Sequence, residues 1–402
     1  MKRIVSMLLV VLLVASLATF ANAETAKITY CSWGSAEEKA TEEAIVAAFV
    51  AANPDVEVEY IHVDGNYEEK LQIMIAGDEA PDVMSIGAAH IPSFASAFAP
   101  VDISAVDTGK YISETLYESL VFDGQQYAYP KRVNTKVFAY NKDLLTKANV
   151  AFPGNEYSIE QFTADAQAVA ALGDDIYGSD PLWFGQWLFQ FGGRMLEADG
   201  TVAFNSEVGK KAAQYIIDAV ETYAFVPTAT EREGQDVMQW FIGGRVGFKG
   251  DFGPYFLPMM AQVTGFEWDV CAAPGNGGEM EIVGVGISAK TANAEAAQRL
   301  AAYISNADDA QAIVGGTSAL PVIEAGKTVF LAQYPEKNLN AFFDAMSTQE
   351  IPPMIKGGNQ VGGILYGQLF DRTKLGASGE EDVALVLDEA ASEVAEMLSD
   401  IQ

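Results

Sequence analysis

The sequence predicts an α/β protein of two domains, the first built on a substantially parallel sheet flanked by helices. Three observations predict it. The chain has 402 residues, long for a single domain. Half of these are hydrophobic, enough for sizeable cores. Beyond its first segment, the chain alternates strand, helix, strand, helix, strand, the pattern of a parallel sheet with helical crossovers.

Lys2 and Arg3, the apolar run 4–20 and Ala21-Asn22-Ala23 form an export leader, expected to be cleaved after Ala23. A membrane anchor is the alternative for such a run, but a cleavage pattern and a polar chain follow it at once. Cys31 lies eight residues past the cut in a strand-like run, so lipid anchoring through it is not expected. The expected compartment is a bacterial periplasm. Cys31 and Cys271 are the only cysteines. An oxidising compartment permits a bridge, but both sit in strand-like runs far apart, and buried free thiols are expected.

KITYCSW (Lys27 to Trp33) reads as the first strand and Gly34-Ser35 as its loop. Ala36 to Ala52 reads as an amphipathic helix with Ala40, Ala44, Ala47, Ala48 and Val50 near one face, stopped by Asn53-Pro54. VEVEYIHV alternates Val56, Val58 and Tyr60 against Glu57 and Glu59, a half-buried strand. KLQIMIAGDEAPDVMSI then passes from helix to strand. Gly77 is expected to end the helix left-handed, and Asp82 to bond local backbone at the strand entry. YPKRVNTKVFAYNKDLL (Tyr129 to Leu145) is a long extended run. A helical, aromatic-rich stretch follows, with a hairpin turn at Asp199-Gly200. EMEIVGVGISAK, from Glu279, gives an apolar strand rich in glycine and then a helix capped by Asn293. The tail carries Val383, Leu387, Ala390, Val394 and Met397 at helical spacing, a docked amphipathic helix.

Charge narrows the partners. Lys and Arg number 24 against 55 Asp and Glu, a formal charge of −31. Loss of Lys2 and Arg3 makes it two units more negative. This argues against nucleic acid, anionic membranes and polyanionic substrates, and favours neutral or cationic ligands. Enzyme signatures fail. His62 and His90 are the only histidines, too few for the common zinc sites, and no G-x-S-x-G is present. Gly326-Lys327-Thr328 imitates a phosphate loop, but Pro321 stands where its first glycine belongs. The Gly284-Val285-Gly286 run lies within a strand rather than at a strand-to-helix turn. Asp64-Gly65-Asn66 with Glu68 and Glu69 lacks calcium-loop spacing. No metal or cofactor is expected. A pair of acids for glycoside hydrolysis is not nominated by anything in the sequence.

Aromatic residues near loop or strand ends remain: Trp33, Trp183, Trp187, Phe252, Tyr255 and Tyr366. Aromatic faces stack on the C–H faces of sugars, while carboxylates and amides take hydroxyls. Trp187 and Trp240 read as core. Trp33 and Trp183 abut turns and read as ligand platforms.

In order, KITYCSWG, YEEKLQIMIAGDEAPDVMSI, YPKRVNTKVFAYNKDLL, FGGRMLEADGTVAFNS, GGRVGFKGDF and EWDVCAAPG resemble the extracellular solute-binding proteins of ABC sugar importers, the family of maltose-binding protein. The resemblance covers nearly the whole chain after the leader. It implies a two-lobed periplasmic-binding-protein fold, with ligand in the interlobe cleft and closure about a hinge. The expected lobes are 24–131 with 285–333, and 132–284 with 334–402. Hinge crossings are expected near 130–135, 282–287 and 331–337. The implied function is capture of a small neutral sugar by a monomer and its delivery to the membrane permease subunits. The alternatives are a polyamine or other cationic solute, or a secreted glycoside hydrolase. Carried over by position, the implied ligand contacts are Trp33, Ser35, His90, Asn134, Asp180, Trp183, Gly250, Asp251, Phe252, Tyr255, Asn359 and Gln360. Phe252 and Tyr255 stay undecided as the sugar platform, and Tyr366 is a further candidate stacker.

Overall fold

The computed structural model describes residues 25–234, 236–275, 277–317, 319–365 and 380–401. The leader and Tyr366 lie outside them. Two sheets organise the chain. The first takes β1 (Ala26–Trp33), β2 (Val56–Val63), β3 (Val83–Gly87), β4 (Phe98–Ala99), β7 (Tyr129–Asn134) and β12 (Glu281–Ser288). Its order is β2-β1-β3-β12-β4, with β7 also paired to β12. β1 runs parallel to β2 and β3, whereas β12 runs antiparallel to β3, β4 and β7. A two-stranded ribbon joins β5 (Val121–Phe122) to β6 (Gln125–Gln126). The second sheet has β8 (Val137–Asn141), β9 (Tyr177–Ser179), β10 (Val246–Phe252) and β11 (Trp268–Cys271), in the order β11-β8-β10-β9. The run from Tyr129 leaves one sheet at Asn134 and enters the other at Val137; it is extended only to Asn141, because Asn141 caps a helix Lys142–Lys147 where extended chain was expected to Leu145. β12 pairs in the first sheet along its whole length, so 282–287 is strand interior and no crossing. Farther on, Gln333 bonds Gly315 of the first lobe, while Tyr334 packs on Trp268 of the second.

Helix Ala36–Ala52 has the expected bounds but a different buried face. Thr41, Glu42, Ile45, Val46 and Phe49 are buried, while Ala40, Ala44 and Ala47 face solvent. Glu42 belongs inside because it holds a cation. Buried Lys131 of β7 lies 2.5 Å from it and donates to Ser85 Oγ at 2.9 Å. Tyr30 O–H donates to Glu42 at 2.7 Å. One polar cluster thus ties this helix to β1, β3 and β7.

Three local expectations are corrected. Gly77 has φ −82, and the left-handed residue is Asp78 at φ 59. Asp82 does not bond local backbone: it accepts from Thr29 N and Oγ1 and from Thr291 Oγ1, joining β1 to the segment after β12. Asn293 stands at the start of helix Ala294–Asn306 without capping it, because its amide donates to Lys27 O instead. The core of the second lobe is aromatic, with Trp187 buried against Phe162, Phe138 and Tyr215. Helix Glu380–Ile401 closes that lobe with Val383, Leu387, Ala390 and Val394. Cys31 and Cys271 are free and buried.

Candidate functional site

Ligands of open α/β sheets sit beyond the strand C-termini. β3 ends at Gly87 and passes into the turn Ala88–His90, while β10 ends at Asp251 and Phe252. Both ends border one cleft of about 850 Å³, within the usual size of a small-molecule site. Its apolar lining includes Trp183, Phe189, Met195, Leu196, Ile351 and Pro352. Its polar lining is His90, Lys136, Gln186, Arg194, Asp251, Glu279, Glu281, Glu350 and Asn359.

Of the residues expected from sequence, His90, Trp183, Asp251 and Asn359 line this cleft. Trp183 heads helix Phe184–Gln190 and is 37% exposed at the cleft. Asp251 has φ 47, a left-handed conformation that costs a non-glycine residue of order 1 kcal/mol. It sits where the β8–β10 register shifts, so the bulge turns its carboxylate into the cleft. His90 faces Glu68 at 3.7 Å. Asn359 stands on the exposed turn Gly358–Gln360, with Gln360 beside it and off the wall.

Other expected contacts are engaged elsewhere. Phe252 is fully buried, stacked near Phe256 and Phe342, and cannot reach a sugar. Tyr255, at 36% exposure, is the accessible ring of the two; its hydroxyl accepts from Lys136 Nζ at 2.6 Å. Asp180 is 1% exposed, pairs with Lys249 at 2.9 Å and accepts from Gly250 N at 2.7 Å. Burial pushes its carboxyl up against the opposing pull of Lys249. Gly250 lies buried in β10 against Phe138, where a Cβ would be crowded at 3.0 Å. Ser35 is the cap of helix Ala36–Ala52, in a reciprocal box with Glu38. Trp33 packs on Tyr67 and lies under the Arg132 guanidinium, off the cleft wall. Asn134 reaches the site only through Glu281, to which it donates at 3.0 Å.

Sequence reasoning missed Lys136, Gln186, Arg194, Glu279, Glu281 and Glu350. Lys136 follows Asn134 by two residues, the one local signal on offer. Its amine lies 3.8 Å from Asp251 and 4.5 Å from the Tyr255 ring centroid. Burial alone would lower its pKa, but Asp251, Tyr255 and Glu281 outweigh that and raise it. Arg194 pairs with Glu350 at 3.1 Å. Glu279 is pushed up to about 7, first by desolvation, then by Glu281 and Asp251, with Lys136 pulling the other way. Cleft water reaches this carboxylate and screens part of the repulsion.

Two sheet-based lobes with a cleft at their strand ends, lined by both apolar and hydrogen-bonding groups, have the form of a small-molecule binding protein. The chain belongs to the family of bacterial extracellular solute-binding proteins, whose model matches residues 33–311. An ABC substrate-binding protein of Listeria monocytogenes in complex with cycloalternan superposes with a TM-score of 0.81 at 22% identity, covering 93% of this chain and 99% of that one. The GacH receptor of Streptomyces glaucescens, solved unliganded and with acarbose, gives 0.76 at 25% identity over 94% of this chain and 100% of its own. The diacetylchitobiose binding protein DasA of Streptomyces coelicolor is 30% identical over 166 residues, 39% of this chain and 37% of its own. The chain spans about 61% of the length of the Brucella relatives it matches at 26% identity.

Proposed function

We propose that this protein is the solute-capturing component of an ABC importer. It binds a sugar in the interlobe cleft, closes on it and presents the closed form to the membrane permease. The carrying observation is the cleft itself, where the side chains of Trp183, Phe189 and Pro352 line one cavity with Asp251, Glu279, Glu281 and Asn359. Ring faces stack on the former while hydroxyls donate to the latter. The relatives' sugar ligands support the same reading. In this reading the leader is cleaved, the protein works as a periplasmic monomer, and it turns nothing over. The hinge is formed by the links 134–137 and 277–281 and the crossing near 333–334. Ser35, Asp180, Gly250 and Phe252 support the site rather than touch ligand.

A panel of mono- to tetrasaccharides in a thermal-shift assay tests the reading. A bound sugar at a hundredfold excess over its Kd stabilises by about 2.7 kcal/mol. No shift with any sugar overturns it, as does release of product from a glycoside.

A further inference from the structure

Four carboxylates line the cleft with Lys136, Arg194 and His90, and their pairing is uneven; His90 faces Glu68 at 3.7 Å. Lys136 is taken by Asp251 and Tyr255. Arg194 is taken by Glu350, with Glu197 at 3.6 Å. One oxygen of Glu281 accepts from Asn134. Glu279 makes no ion pair or hydrogen bond through its side chain among the described residues. It sits two residues from Glu281 on an extended segment, which puts both side chains on one face. That face is the cleft.

On the sugar-binding reading above, we infer that the ligand is a glycan bearing a protonated amine, and that Glu279 is the specificity-determining residue that receives it. Lys136, Arg194 and His90 already face acids, so an anionic ligand would have to displace an internal partner. No group of three or more acidic, histidine or cysteine side chains among the described residues is arranged for a metal ion. A cation remains as the species that relieves the Glu279–Glu281 repulsion. A hydroxyl also donates to a carboxylate, but an ammonium does so with both partners charged, and such bonds are roughly twice as strong. A linear polyamine satisfies the acids and leaves the apolar lining at Trp183, Phe189 and Pro352 without a ring face to cover. The raised Glu279 carboxyl agrees, because a cation beside it favours the ionised form and expels its proton.

The test is titration calorimetry at pH 7.5 on the purified full-length product. Glucosamine, N-acetylglucosamine and glucose sets, matched at the mono-, di- and trisaccharide level in both α and β linkages, are compared, with spermidine as a further probe. The best glucosamine ligand should bind at least tenfold tighter than its acetylated and hydroxyl counterparts, and should release protons at pH 6.5. E279Q should bring its affinity down to theirs. E57Q, which removes a surface charge paired with Lys27, should keep the preference. Equal binding of neutral and amine sugars, or a preference that survives E279Q, overturns the inference and leaves the sugar reading standing. Binding of spermidine with no sugar at all overturns both.

Discussion

The side-chain amide of Gln349 pairs with both faces of the Lys136 peptide. Lys136 N donates to Oε1 at 3.0 Å, and Nε2 donates to Lys136 O at 2.5 Å. The backbone beside it pairs with 278–280, through Glu350 N to Gly278 O and Met280 N to Glu350 O. Gln349 by its side chain and Glu350 by its backbone therefore clip together the two links between the sheets and hold the residue whose amine reaches the cleft. Gln349→Ala leaves both peptide groups without their partner and should cost about 1–3 kcal/mol. It should also weaken ligand binding, and Gln349→Glu should be worse, because its acceptor faces the Lys136 carbonyl. Thermal unfolding with and without ligand measures both. Unchanged affinity in Gln349→Ala would remove the clip from the binding machinery.

Asp251 separates strain from function. Asp251→Gly removes the left-handed penalty and should match or exceed the parent in melting temperature while losing at least tenfold in affinity. Asp251→Ala keeps the strain without the carboxylate and should lose both. Calorimetry on the two variants checks the split. A glycine variant that binds normally ends the assignment.

Trp183 and Phe252 make opposite forecasts from the same residue class. Trp183→Ala should leave unfolding within about 0.5 kcal/mol of the parent, as surface changes do. Its binding should weaken by about 0.5–1.5 kcal/mol, the worth of an aromatic contact. Phe252→Ala opens a cavity in a closed core and should cost about 3–5 kcal/mol in denaturant unfolding. The reverse pattern would mean that Phe252, not Trp183, meets the ligand.

Glu279 sets a pH dependence with an unusual sign. Its folded pKa is raised to about 7 from an ordinary 4.5. Between these values the folded state holds the proton more tightly than the unfolded chain, so this group's contribution to stability falls as pH rises from 4.5 to 7. Glu279→Gln should flatten that slope and melt higher than the parent at pH 8. An unaltered slope counts against the repulsion.

The Lys131–Glu42 pair is fully internal. Lys131→Met or Glu42→Gln alone leaves one charge buried without its partner and should cost about 3–5 kcal/mol. Replacing both by apolar residues should cost far less. Guanidinium unfolding of the three variants checks this. Additive losses would show that the two do not act as a pair.

Strands were legible wherever a local pattern carried them, as in 56–63 or the run from 129. The bounds of helix Ala36–Ala52 were legible too, from Ser35 and Asn53-Pro54. Its buried face was not, because Glu42 is inside for the sake of a lysine 89 residues away. Asp180 was expected at the ligand by its position in the family pattern, and only the fold brings Lys249 to it. Asp251 was legible only through the family resemblance at Gly250-Asp251-Phe252, and its left-handed backbone near the end of β10 carries no local signal. Glu279, Arg194 and Gln349 carry no local signal, since each gains its role from a neighbour distant in sequence.

The place of β12 in the first sheet bears on how the chain is made. It sits between β3 and both β4 and β7, yet it arrives about two hundred residues after β3. Synthesis delivers β1, β2 and β3 early, but their sheet has no continuation until Glu281–Ser288 emerges. Asp82 also waits until then for Thr291. Such distant pairings impose a loop-closure cost before they give any stabilisation, and they fold slowly. The lobe that begins the chain is thus among the last parts to be completed, and most of the polypeptide is on hand while it remains open.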